Sequence, residues 1–182
     1  MISSKWAVLK SAFVADLKIF QARFDYLLNP HTQKEVKVTV LEANDAVNVI
    51  GITPDGKIIM VRQFRFGSQE YSLEIPGGFM EANEDPLDAI KRELSEETGC
   101  TTENWKPLGS IYSNPVYQTA QIHHFVAYDV QKTESTKFDD EEFLELLYYT
   151  PVELKQAMQQ NQITHPHTIS ALCRIFNLFD AP

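Results

Sequence analysis

Cysteine is nearly missing from this 182-residue chain: there are two, Cys100 and Cys173. That is too few for a disulfide framework or a cysteine metal site, so the plain reading is a pair of reduced thiols in a cytoplasmic protein. Positive charge is also short. Sixteen Lys and Arg against twenty-five Asp and Glu leave a net charge of −9, which argues against nucleic acid as a partner, since a basic face is the usual footprint on a phosphate backbone. An anionic substrate would need a bridging cation. Long apolar runs are absent too. The opening stretch, MISSKWAVLKSAFVADLKIF, is interrupted by Lys5, Lys10, Asp16 and Lys18, unlike a signal peptide or a membrane span. Neither export nor a membrane partner is expected, and no internal repeat or low-complexity tract is visible.

What is present is enough apolar residue, 43% of the chain, to bury one substantial core. The dominant signals are strands. KEVKVTVLEA alternates Val36, Val38 and Val40 with polar neighbours, and Thr53-Pro54-Asp55-Gly56 separates AVNVIGI from KIIMVRQF, a pattern that reads as a hairpin. Further strand candidates are YSLEI, WKPLGSIYS, QIHHFVAYDV and FLELLYY. Three helices interrupt them. The first is predicted to start at Asp85 as N-cap with Pro86 at N1, to bury Leu87, Ile90 and Leu94, and to end before Gly99. The second follows Thr150, and the third runs through TISALCRIFNLF with Ile169, Leu172, Ile175 and Phe176 on one side. Mixed strands with helices point to an α+β fold. Residues 1–44 read as a small β-rich unit that buries little by itself, and residues 45–182 as the main domain.

The main domain carries a crowd of carboxylates. On the first helix Glu93, Glu96 and Glu97 are spaced three and four apart and share roughly one face. Like charges so placed repel, and a hard divalent cation such as Mg²⁺ compensates them, because it binds through a few carboxylates plus water and substrate phosphates. The spacing makes this more than a solvated acidic face. From Gly78 the chain reads Gly, five residues, Glu84, seven residues, then Arg92-Glu93-Leu94-Ser95-Glu96-Glu97-Thr98-Gly99-Cys100. This resembles the Nudix hydrolase box, G-x5-E-x7-R-E-U-x-E-E-x-G-U with U a bulky aliphatic residue. Average residue frequencies give its fixed Gly, Glu and Arg positions odds of about one in 10⁸ per start. Cys100 is the one departure, at a packing position where a small thiol is tolerable.

The resemblance implies an α/β/α sandwich with a mixed sheet, to which the N-terminal β-rich unit is appended, and attack by water on a nucleoside diphosphate linked to another group. By the family's pattern the Gly77 carbonyl, Glu93 and Glu97 hold Mg²⁺, with Mn²⁺ as a substitute and Glu96 near or in the cluster. Arg92 and Glu84 frame it through a salt bridge, while Gly78 and Gly99 shape the loop and the helix end. TPDGKIIMVRQFRFG, SLEIPGG and Pro115 look like the branch of ADP-ribose and other nucleoside diphosphate sugar pyrophosphatases. The segment after Pro115 lacks the acidic residue that many ADP-ribose enzymes place there, so strict ADP-ribose selectivity does not carry over.

In that branch Arg65 matches a diphosphate contact, a guanidinium able to fork onto phosphate oxygens, and Glu74 joins it as a substrate-binding candidate. Glu141 and Glu142, with Asp140 behind, are candidates for a catalytic base on a loop. Phe24 or Tyr26, and Tyr117, are candidates for stacking a base. The branch commonly exchanges its N-terminal segment between subunits, which implies a homodimer. His123 and His124 point to opposite faces of one strand, and His165 and His167 flank Pro166 at a helix start; none of these is read as a metal ligand. Two other readings stay open: a hydrolase of nucleoside triphosphates or dinucleoside polyphosphates, and a noncatalytic nucleotide sensor.

Overall fold

The computed structural model describes residues 5–133, 135–136 and 144–176. Two compact units emerge, one formed by Met1–Asp45 with Tyr112–Gln121, the other by Ala46–Ile111 with Ile122–Pro182. The first unit therefore takes in an excursion from the middle of the sequence as well as the N-terminal segment. It holds the antiparallel strands β1 (Ala7–Asp16), β2 (Gln21–Leu28) and β3 (Glu35–Glu42), in the order β1-β2-β3. Arg23 on β2 bonds both Asp25 and Glu42, tying β2 to β3. Leu41 and Gln118 form a bridge that ties the excursion to β3.

The second unit is a three-layer α/β/α sandwich. One sheet, in the order β7-β4-β10-β9, contains β4 (Ala46–Gly51), β7 (Gly77–Phe79), β9 (Asn104–Tyr112) and β10 (Gln121–Tyr128). It is mixed, because β4 runs parallel to β10 and antiparallel to β7. The other sheet, β12-β5-β6, is antiparallel and contains β5 (Ile58–Arg65), β6 (Glu70–Glu74) and β12 (Glu145–Tyr149). A short pair joins β8 (Cys100–Thr101) to β11 (Gln131–Lys132).

Alternation along the strands sorts the core into two layers. Val47 and Val49 of β4, Ile59 of β5, and Phe125 and Ala127 of β10 pack with Ile90 and Leu94 of helix α1 (Pro86–Thr98). Their neighbours Ile50, Ile58, Met60 and Val126 point the other way. They pack with Leu154 of α2 (Pro151–Gln159) and Leu172 of α3 (Pro166–Leu172). Strands covered on both faces read as continuous apolar runs, which is why the sequence alone suggested the wrong partner for β4. The Thr53–Gly56 turn forms, with Thr53 N–H donating to Lys57 C=O at 2.9 Å, but its flanking strands are not a hairpin. Each lies inside its own sheet, and their backbones pair at the isolated Ile52–Ile58 bridge.

The helix ends follow their local chemistry. Asp85 accepts from Leu87 N–H at 2.9 Å, and Gly99, at φ 67°, closes α1 by donating to Ser95 C=O. Thr150 and Glu153 form a reciprocal capping box on α2. The third helix is shorter than its apolar pattern: it ends at Leu172, so Ile175 lies beyond it and is partly exposed. Among the described residues no helix is long and apolar enough to cross a membrane.

A buried polar network crosses the second unit. His124 on β10 is 1% exposed; its Nδ1 lies 2.6 Å from Asn48 Oδ1 and its Nε2 2.8 Å from Ser170 Oγ. Burial, and then the nearby charges of Arg174, His167 and His123, pushes its pKa down to about 4. The folded state therefore holds a neutral ring, whereas the unfolded chain takes up a proton near the ordinary value of about 6.5. The associated stability is present above that value and is lost as the pH falls from it toward 4. Thermal melts are expected to show a lower Tm at about pH 5 than at about pH 7.5, with a smaller decline in His124→Gln. Equal declines would dissociate His124 from the acid sensitivity.

Candidate active site

The chain enters the site through β6, turns at Pro76 and runs as β7 along the edge of β4. This strand must be glycine at its first position. A Cβ on Gly77 would lie 2.2 Å from the Val47 carbonyl oxygen and 2.7 Å from Asn48 Cα. Bare backbone can thus lie against β4 and, on its other side, against α1. Gly77 N–H donates to Glu97 Oε2 at 2.9 Å, and the Glu93 carboxylate rests so close to Gly78 that a Cβ there would come within 2.6 Å of both its oxygens.

Arg92 organises the acids. Its Nε and Nη2 fork onto Glu84 at 3.0 Å each, its Nη1 reaches Glu93 at 2.8 Å and Glu96 at 3.2 Å, and its Nη2 also donates to Phe79 C=O at 3.1 Å. The bonds from Glu84, opposed by burial and reinforced by Glu93, raise the guanidinium pKa further. The same bond holds the Glu84 carboxyl below its ordinary value, as does the Glu81 N–H. One cation thus serves three carboxylates, and Glu97, a fourth, is buried at the strand edge.

Carboxylates gathered side by side and partly buried are costly, and a hard divalent cation is the natural remedy. The donor chemistry fits Mg²⁺: Glu93 and Glu97 flank bare glycine backbone, and Glu96 is the more exposed of the three. Among the described residues no set of three or more His, Cys, Asp or Glu is gathered into a ready metal cage. Replacing Glu84 by Gln removes the charge that anchors Arg92. The expected result is a roughly 10- to 100-fold higher Mg²⁺ concentration for half-maximal activity, read by titrating the metal. A wild-type titration curve would remove Glu84 from the positioning of the acids.

A second charged group lies just upstream. Arg65 Nε and Nη2 fork onto Glu74 Oε1 and Oε2 at 2.7 and 2.6 Å. Glu74 is 2% exposed, whereas the Arg65 side chain is 42% exposed. Burial is the largest single influence and pushes the Glu74 carboxyl up, but the bonds and charge of Arg65, with His165 and the Ser72 side chain, together hold the group below the ordinary carboxylate range. Arg62, three residues earlier and so on the opposite face of the strand, instead pairs with Glu145 on β12.

Phe24 and Tyr117 belong to the first compact unit, where Lys37 Nζ sits 3.6 Å from the Phe24 ring centre and the Tyr117 carbonyl accepts from Leu41 N–H. Asp140, Glu141 and Glu142 lie outside the described residues. Two residues that the sequence did not mark belong to the surroundings of the site. Asn48, a buried amide in an apolar strand, pairs in register with Gly77, and His165 contacts Glu74 at 3.3 Å. A polar residue inside AVNVIG was the available signal for the first.

The chain belongs to the NUDIX domain family, whose model matches residues 42–171. It is 31% identical over 140 residues to the ADP-ribose pyrophosphatase of Bacillus subtilis (strain 168), covering 76% of each chain. It is 32% identical over 165 residues to the methanol dehydrogenase activator of Bacillus methanolicus, covering 90% of this chain and 89% of that protein. The crystal structure of an ADP compounds hydrolase shares the fold at a TM-score of 0.84 and 22% identity, over 94% of this chain and 92% of that one.

Proposed function

We propose that the protein hydrolyses, with Mg²⁺, the diphosphate bond of nucleoside diphosphate sugars such as ADP-ribose, giving a nucleoside monophosphate and a sugar phosphate. The observation that carries this reading is the sequence of charges along one short segment. Arg65 is forked onto buried Glu74, and three residues further on, at Gly77, begins the backbone that meets Glu93 and Glu97. A cationic grip beside a carboxylate cluster suits a substrate with two adjacent phosphates. Glu93 and Glu97, with Glu96 and Gly77, would hold the ion. When bound, Mg²⁺ supplies charge neutralisation at the phosphates and lowers the pKa of water. Arg65 then grips and orients the diphosphate, while Arg92 keeps the acids in register. The ADP-ribose pyrophosphatase activity named for the Bacillus subtilis relative supports the substrate class.

A homodimer through the N-terminal unit belongs to the same reading. Its support is the edge strand β1, whose Val8 and Phe13 are exposed. Sedimentation that gives a monomer mass would count against it.

The deciding test is a panel of ADP-ribose, ADP-glucose, GDP-mannose, UDP-glucose, diadenosine polyphosphates and nucleoside triphosphates, assayed with Mg²⁺ and with EDTA. Diphosphate sugars are expected to lead, and EDTA to abolish cleavage. If triphosphates or dinucleotides lead, the substrate assignment fails. Binding without any cleavage would make the protein a sensor.

A further inference from the structure

We propose that His165 is a positioning residue for Arg65: it fixes the buried Glu74 carboxylate on which the guanidinium is mounted, and so sets where that guanidinium meets an anionic substrate. This rests on the reading of Arg65 as the diphosphate grip.

The first observation is what His165 does not do. It occupies the N-cap of α3, yet its side chain makes no capping bond, although that position favours Ser, Thr, Asp or Asn for the capping bond itself. The ring turns away instead. Its Nδ1 lies 3.3 Å from Glu74 Oε2 and 3.3 Å from Thr168 Oγ1, and Thr168 Oγ1 in turn accepts from Ile75 N–H at 3.3 Å. The first turn of α3 therefore holds two consecutive residues of the segment that leads into Gly77.

Arg65 on β5 and the Ser72 side chain on β6 hold the Glu74 carboxylate from within one hairpin, and because the last torsion of a Glu side chain is broad the guanidinium can still swing with it. A contact from a different element removes that freedom. His165 supplies it at Oε2, the oxygen that also takes Arg65 Nη2. Burial pushes the ring pKa down to about 4, so at neutral pH the ring is uncharged and its Nδ1 meets Oε2 without competing as a second cation for the Glu74 charge. The ring is itself anchored. His167 packs edge-on against it, with ring centres 5.1 Å apart, and the His167 carbonyl accepts from Asn48 Nδ2 at 3.3 Å and from Ser170 Oγ at 3.1 Å.

The test compares His165→Leu, which keeps bulk and removes the donor, with His165→Asn, whose amide N–H stands in for Nδ1; His165→Ala replaces the leucine variant if that one does not fold. Kinetics on a cleaved diphosphate sugar are read beside the NMR signal of the Arg65 Nε–H, assigned through Arg65→Lys. His165→Leu is expected to raise KM by about tenfold with kcat within about twofold and to speed solvent exchange of the Arg65 Nε–H. His165→Asn should restore both. In an Arg65→Ala background His165→Leu should change nothing further. Unchanged KM and exchange in His165→Leu, or an equal loss with Arg65 already removed, would overturn the inference. If the wild type cleaves no diphosphate sugar, or if Arg65→Ala leaves KM unchanged, it is the reading of Arg65 that has failed. The exchange rate then decides alone whether His165 holds the Glu74–Arg65 pair.

Discussion

Replacing Glu97 by Gln is expected to lower turnover by roughly 10²- to 10³-fold while leaving the fold intact. Glu97 is buried, and its Oε2 takes the Gly77 N–H at 2.9 Å. Glutamine keeps an oxygen acceptor of the same reach, so that bond survives. What disappears is the negative charge, which is costly to bury and is the reason a cation would be held there. The outcome is read from kcat and Mg²⁺ titrations set beside a circular-dichroism melt. Unchanged turnover would refute Glu97 as part of the metal cradle. Lost turnover with a matching loss of stability would instead mark it as structural.

The two glycines of β7 are expected to fail in different ways. Gly77→Ala drives a Cβ against the Val47 carbonyl oxygen at 2.2 Å and against Asn48 Cα at 2.7 Å, and both are backbone atoms of a central strand. Neither can yield without separating β7 from β4. A destabilisation of about 2–3 kcal/mol is expected, seen as a fall in Tm of roughly 5–10 °C. Gly78→Ala meets the Glu93 side-chain carboxylate, at 2.5 Å from Cδ and 2.6 Å from each oxygen. A side-chain end can move, so this variant should fold normally and lose roughly 10- to 100-fold in activity, recovered in part by excess Mg²⁺. Similar melts for the two variants would contradict the difference between backbone and side-chain obstruction.

Helix α1 was the most legible element, because each of its boundaries has a local chemical cause: Asp85 and Pro86 at one end, Gly99 at the other. Its acids were legible through their spacing. Which strands pair was less so. The apolar runs of β4 and β5 announce burial on both faces, but period and composition do not name neighbours, and the turn between them suggested a hairpin where inner strands of two sheets lie. Strand β7 was invisible for the opposite reason: two glycines have no strand preference, and only the ladder to Val47 and Asn48 makes them one. His165 looked like a residue beside a helix-starting proline, since its partner Glu74 is far upstream and only the tertiary fold joins them.

The division of labour around α1 has an evolutionary consequence. The acids sit on one well-capped helix whose inner residues, Ile90 and Leu94, are fully packed, whereas Arg65 and its support come from a hairpin and from the first turn of α3. On the proposed reading of Arg65, a lineage can vary the hairpin and the α3 turn to change what is bound, while inheriting the acid-bearing helix unaltered. If the Arg65 mount is shared between β6 and α3 as proposed, such drift favours paired changes, a new residue at position 74 arriving with a compatible one at position 165.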